Sequence, residues 1–229
     1  MTVGIVGATG DLGFGLAIRL ASAGVPVTIG SRASDRAEQA AARAREAVGD
    51  SAPVSGAENP EAVSGAEVVF VTVPYAGQAD IYRSIRDHIA AGTVVCDTTT
   101  PLATAVGGRA THVLRPWHGS AAEQARALLP EGLSVVAGFH SVGAEALEDL
   151  ERGVDADVLL CGDDKEAKEV VGGLTDRIPG LRWIDCGPLS MARVLEPITA
   201  ALISVNRRYG LKDTQLRLTG REIWGPPTK

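Results

Sequence analysis

The stretch that decides the fold is TVGIVGATGDLGFGLAIRLASAG, residues 2–24. Val3, Ile5 and Val6 form a short apolar run of the kind that makes a strand buried on both faces. From Asp11 the spacing turns helical, with Leu12, Leu16 and Leu20 on one face and Gly24 as the stop. Between strand and helix stand Gly7, Gly10 and Gly13. A tight turn, a backbone that a pyrophosphate can approach, and a helix packed close on its strand each require a residue without Cβ. The helix N-terminus adds free N–H groups and a positive dipole end. This order of strand, glycine turn and helix predicts a dinucleotide cradle.

The same alternation continues down the chain. Strands are expected at Val25 to Ile29, around Val54, at Val68 to Val73 (ended by Pro74) and at Thr93 to Cys96. Helices are expected between them at Asp35 to Val48, Pro60 to Gly65 and about Gln78 to Ile89. Strands separated by helices imply right-handed crossovers and a parallel, doubly wound sheet. Beyond Pro101 the lengths are less regular. A helix from Ser120 to Leu129 carries a capping-box pattern in Ser120 and Glu123. Strands follow at Ser134 to Ala137, Asp157 to Cys161 and Arg182 to Asp185, with a helix from Lys165 to Ile178 opened by Asp163 and Asp164. A long apolar helix spans Leu189 to Tyr209, bent at Pro197 and closed by Gly210, with Met191, Leu195, Ile198, Leu202 and Val205 on one face. That stripe fits either core packing or a homodimer contact. The fold class is therefore α/β, a Rossmann-type doubly wound, mostly parallel sheet with a small C-terminal α/β part ending in a long helix. Residues 1–145 are expected to form the nucleotide-binding domain and 146–229 the smaller one, with the tail 221–229 loosely held.

The end of the second strand selects the nucleotide. A site for NAD wants Asp or Glu there to hold the ribose hydroxyls. This chain reads Gly30-Ser31-Arg32, with Arg36 one turn on. A hydroxyl and guanidinium groups suit a 2′-phosphate, which points to NADP(H).

Composition narrows the partners. The net charge of −6 leaves no basic stripe for nucleic acid, and only 4% of residues are aromatic, too few for base-stacking platforms. Cys96, Cys161 and Cys186 show no metal-ligand spacing and fit a reducing compartment. The N-terminus has no basic region before its apolar run, and no stretch approaches the roughly 20 apolar residues of a membrane span. No metal, nucleic acid or membrane is expected, and the expected location is cytoplasmic.

Several segments together resemble one family. They are GIVGATGDLGFGLAIRLASAG (4–24), VTIGSR (27–32), VTVPY (71–75), GFHSVGAEAL (138–147), LLCGDDKEAKEVV (159–171) and DCGPLSMARVLEPIT (185–199). This set is similar to the NADPH-dependent reductases of coenzyme F-420 (also written F420), an 8-hydroxy-5-deazaflavin. The early segments are shared by many NADP enzymes; CGDD and CGPLSMAR in that order are more particular. Segments 97–117 and 221–229 depart from the family's pattern. The resemblance implies a homodimeric oxidoreductase that moves a hydride between nicotinamide C4 and deazaflavin C5. It implies that Thr9, Gly10, Asp11 and Leu12, with Gly7 and Gly13, hold the pyrophosphate, Asp11 through its backbone N–H. Ser31, Arg32 and Arg36 would hold the 2′-phosphate, and Val73, Pro74 and Tyr75 the nicotinamide side. His140, Ser141, Val142, Gly143 and Ala144 would line the place where the rings meet.

Such a reaction asks little of side chains, because the cofactors carry the chemistry. His140 is the one candidate catalytic residue, a donor to the O2/N1 region of the deazaflavin; packing alone is the other reading of it. His88, His112 and His118 read as solvated or locally bonded. Two alternatives share the N-terminal motifs. One is an NADP-dependent reductase of a small carbonyl or imine, weakened because no Lys precedes Lys165 to serve as proton donor. The other is a non-catalytic NADP(H)-sensing module.

Overall fold

The computed structural model describes residues 1–220; the tail 221–229 lies outside the described residues. The first half comprises β1 (Val3–Val6), α1 (Asp11–Ser22), β2 (Val27–Ser31), α2 (Ser34–Val48), β3 (Val54–Glu58), α3 (Asn59–Val63), β4 (Val68–Val71), α4 (Tyr75–Ile85) and β5 (Val94–Asp97). There follow α5 (Ala121–Leu128), β6 (Ser134–Ala137), α6 (Ala144–Glu148), β7 (Ala156–Gly162), α7 (Lys165–Thr175), β8 (Leu181–Asp185), α8 (Ala192–Leu195) and α9 (Ile198–Tyr209). The eight strands lie in the order β3-β2-β1-β4-β5-β6-β7-β8. The first six run parallel. β7 enters antiparallel to β6, and β8 is parallel to β7. The sheet is thus the expected mostly parallel one.

Strand residues alternate between two cores. Val3, Ile5, Val68 and Phe70 join Leu16, Leu20 and Ala41 on one face. Val6, Val69 and Val71 join Tyr82, Ile85 and Ala125 on the other. Burial on both faces explains why these strands read as unbroken apolar runs.

Three local differences have physical causes. β2 begins at Val27 rather than Val25, because Val25 N still donates to Leu20 O in the closing turn of α1 and Pro26 has no N–H to give. The helix expected over Leu189 to Tyr209 is divided at Pro197 into a 3-10 turn, α8 and α9, and Gly210 closes it in the left-handed conformation. α6 carries no sequence signal of its own. It is held from α1 by the buried Arg19, whose guanidinium donates to Leu147 O (2.8 Å), Ala146 O (2.9 Å), Arg152 O (2.8 Å) and Asp149 O. The capping signals behave as read: Ser120 accepts from Glu123 N, and Asp164 accepts from Glu166 N and Ala167 N. Among the described residues no helix is long and apolar enough to cross a membrane.

Close backbone approach sets the layer spacing. A Cβ on Gly56 of β3 would lie 2.5 Å from Ala37 O in α2, and neither backbone can move aside. Gly56→Ala should therefore cost about 1–3 kcal/mol, an overpacking penalty readable as a lowered urea midpoint. An unchanged midpoint would show that α2 is not fixed against β3.

Candidate active site

The carboxyl ends of the parallel strands open into a cleft of about 940 Å³. It lies where the strand order reverses between β1 and β4, the usual ligand position in open α/β sheets. Gly7, Thr9, Gly10, Asp11 and Leu12 form its floor. Gly7 has φ +85, a conformation that favours glycine, and Gly10 N donates back to Gly7 O at 3.0 Å. A Cβ on Gly7 would lie 2.6 Å from Val73 Cγ1. A Cβ on Gly13 would press on Ala8 Cα at 2.6 Å and on Thr72 Oγ1, so Gly13 acts below the surface, in packing. Above Gly10 a Cβ would meet only Gly7 O, at 3.5 Å. Gly10 caps α1 without any side chain, which leaves the first N–H groups of the helix open to an anion. The turn therefore fits a pyrophosphate.

One end of the cleft is basic. Ser31 is buried at the tip of β2, while Arg32 and Arg36 are exposed and line the cleft. Neither guanidinium has a partner among the described residues, so both can meet an anion. Asn59 lines the same end and stands out as a residue that the sequence reading did not select.

The other end is built from four elements. Val73 and Pro74 line it, whereas Tyr75 turns away and its hydroxyl donates to Gln124 Oε1 at 3.2 Å. Thr98, Thr99 and Thr100 follow β5 into the cleft. Phe139 occupies the left-handed region at φ +67, uncommon for a bulky residue, and stacks edge-on against Phe70 at 5.6 Å. His140 follows it, with Val142 and Ala144 further along the wall. Ser141 faces inward, donating to Asp157 O at 2.7 Å, and Gly143 packs toward Asp213 instead of lining the cleft. Thr199 closes the wall from α9, sharing a 2.9 Å hydrogen bond with Thr100 and donating to His140 O at 2.8 Å.

His140 is buried, neither ring nitrogen makes a hydrogen bond of good geometry among the described residues, and the Thr99 backbone is the polar group nearest the ring. Burial pulls its pKa down to about 4, so the ring is neutral near pH 7. It can offer one N–H and one lone pair to a ligand. Beneath the threonine run lies Asp97, wholly buried. It accepts from Gln78 Nε2 (2.8 Å), Tyr82 Oη (2.7 Å) and Thr99 N (2.9 Å). Desolvation outweighs these bonds and pushes its pKa up to about 6. The Asp97 to Thr100 run carried a findable signal: polar residues directly after a buried strand, on the ligand-binding edge. His88, His112 and His118 are exposed and away from the cleft, and no group of metal-binding side chains exists among the described residues.

Comparison with known proteins points to one family. Residues 2–101 match the family described as NADP oxidoreductase, coenzyme F420-dependent. An F420-dependent NADP reductase from Methanocaldococcus jannaschii is 42% identical over 97% of this chain and 100% of its own length. One from Methanothermobacter thermautotrophicus is 41% identical over 96% of this chain and 95% of its own. A solved structure from Arthrobacter sp. FB24 has 25% identity and a TM-score of 0.78, covering 96% of this chain and all of that one.

The neutral His140 ring is directly measurable. Its folded pKa lies below the ordinary 6.5, so the stability it contributes is present above about pH 6.5 and is lost as pH falls through about 4. Nitrogen-15 spectra at pH 6 should show a neutral imidazole, and His140→Gln should lose less stability than wild type between pH 6.5 and 4. An imidazolium at pH 6 would contradict the burial.

Proposed function

Because the chain belongs to the coenzyme F420-dependent NADP oxidoreductase family, we propose that its cleft holds NADP(H) and F-420 together and passes a hydride reversibly between them. One observation carries this reading. A single cleft runs from the glycine turn and two unpartnered arginines to the buried His140 ring and the threonine run beside it. The residues fit both ends of a phosphorylated dinucleotide. Gly7 to Leu12 hold the pyrophosphate, with Gly13 packing below them. Ser31, Arg32 and Arg36 hold the 2′-phosphate. Val73 and Pro74 flank the nicotinamide, and the turn His140 to Ala144 borders the deazaflavin.

Bound together, the two cofactors supply the hydride chemistry themselves, so proximity, orientation and water exclusion are the tasks left to the protein. Phe139, Val142 and Thr199 exclude water at the ring junction. His140 holds a proton on a ring nitrogen there and offers it as a hydrogen bond to the deazaflavin's O2/N1 region, where charge develops. Residues 1–145 serve as the dinucleotide-binding part. Residues 146–229 complete the cleft, through Thr199 of α9, and supply the dimer contact.

The assembly in this reading is a homodimer. The apolar stripe on the last helices divides in two. Leu195 is buried in the core, and Met191 and Ile198 pack against it. Ala200 is the one residue of α9 that is fully buried, and Leu202 and Val205 join neither core. That uncovered part fits an isologous contact. Buried free thiols at Cys96 and Cys161 fit a reducing compartment, and we place the protein in the cytoplasm on that ground.

The test is direct. Purified protein mixed with NADPH and oxidised F-420 should bleach the deazaflavin absorbance, whereas tight NADPH binding without turnover would indicate a sensing module. Arg32→Ala should raise KM for NADPH roughly tenfold or more with little change in kcat, as expected for loss of charge-assisted uniform binding. An unchanged KM would put the 2′-phosphate elsewhere. Val205→Arg should halve the mass in light scattering; an unchanged mass would move the dimer contact off α9.

A further inference from the structure

Asn59 is the first residue of α3, directly after β3. In the parallel register Ser31 of β2 pairs with Glu58, so Asn59 stands one step further out, level with Arg32. The residue lines the cleft yet is only 4% exposed. Oδ1 is shut off from water without accepting a hydrogen bond, and the amide makes none among the described residues. Buried polar groups are nearly always paired, so an orphaned amide in a ligand cleft marks a contact that the ligand completes. Gly30 makes room for it: a Cβ there would lie 2.9 Å from Asn59 Oδ1. The amide can also turn about χ2 without breaking any bond.

We propose that Asn59 reads the adenine of the dinucleotide. A primary amide carries one acceptor and one donor side by side, the complement of adenine's 6-amino group and N7. Oδ1 accepts from the amino group and Nδ2 donates to N7. Ser31, Arg32 and Arg36 occupy themselves with the 2′-phosphate of the same nucleotide, so the base falls toward β3, where Asn59 waits. The inference rests on the cleft being an NADP(H) site, and it adds a determinant of nucleotide choice. The glycine cradle cannot supply one, since it meets only phosphate.

The experiment compares two ligands in two proteins by calorimetry, without F-420. The ligands are NADPH and its hypoxanthine counterpart, in which an oxo group replaces the 6-amino group. The proteins are wild type and Asn59→Ala. Wild type should favour NADPH roughly tenfold, the worth of a buried hydrogen bond lost together with its partner's pairing. Asn59→Ala should bind NADPH more weakly by about the same factor, with its preference between the two ligands reduced to near unity. Preference is a ratio taken within one protein, so partial misfolding of the variant cancels out of it. A variant that keeps the full preference overturns the proposal, including the case where both ligands weaken equally. Wild type that binds both ligands alike overturns it too. Failure of wild type to bind NADPH at all would overturn the NADP(H) reading beneath it, a result distinguishable from the others.

Discussion

The structure depends on one close approach, that of α1 to β1 and β4. No side chain separates them at the turn: Gly7 lies against Val73, and Gly13 against Ala8 and Thr72. Thr72 Oγ1 ties the same point across the switch in strand order by donating to Val6 O at 3.0 Å. This contact brings the open N-terminus of α1 to the cleft floor, where its N–H groups are free to meet an anion. It also places the far end of α1. Gly15 lets α6 come near, since a Cβ there would sit 2.6 Å from Leu147 Cβ, and Arg19 then clamps four carbonyls of the following turn. The helix whose N-terminus meets the cleft floor thus also fixes the segment leading back to His140.

Two buried carboxylates join the rest of the cleft to this frame. Asp97 ends β5 and gathers Gln78, Tyr82 and Thr99, fixing the threonine run that lines the site. Glu196 lies between α8 and α9 and accepts from Ala121 N and Ala122 N, both at 3.0 Å. Burial pushes its pKa up to about 8 against the opposing pull of those N–H groups. Through Glu196 the C-terminal helices are seated on α5, and Thr199 is delivered to the cleft. The wall opposite the basic end is therefore drawn from the segments after β4, β5 and β6 and from α9.

Much of the fold was legible because each signal was local. Apolar runs, the glycine turn, Ser120 and Asp164 as caps, and Gly24 and Gly210 as stops all act within a few residues. The basic end of the site was equally plain, since Ser31, Arg32 and Arg36 follow directly from the end of β2. What escaped was set by distance. α6 exists because Arg19, more than a hundred residues earlier, satisfies its carbonyls. The direction of Tyr75 is decided by Gln124. Asn59 lies just before the short helix expected from Pro60, and only the register of β2 with β3 brings it beside Arg32. The left-handed Phe139 has no glycine to announce it. These features depend on which strands are neighbours, and strand order is not written in any single segment.

The central claim is that one cleft sets two cofactors face to face, so that hydrogen passes between them without meeting solvent. Isotope tracing tests this most directly. NADPH deuterated at nicotinamide C4 is incubated with the protein and oxidised F-420 in ordinary water, and the reduced deazaflavin is examined by mass spectrometry. With the transferring face labelled, the account predicts one deuterium at C5 in each product molecule, and none when the opposite face carries the label. Deuterium appearing in the water, or a product labelled equally from either face, would contradict direct transfer within the cleft.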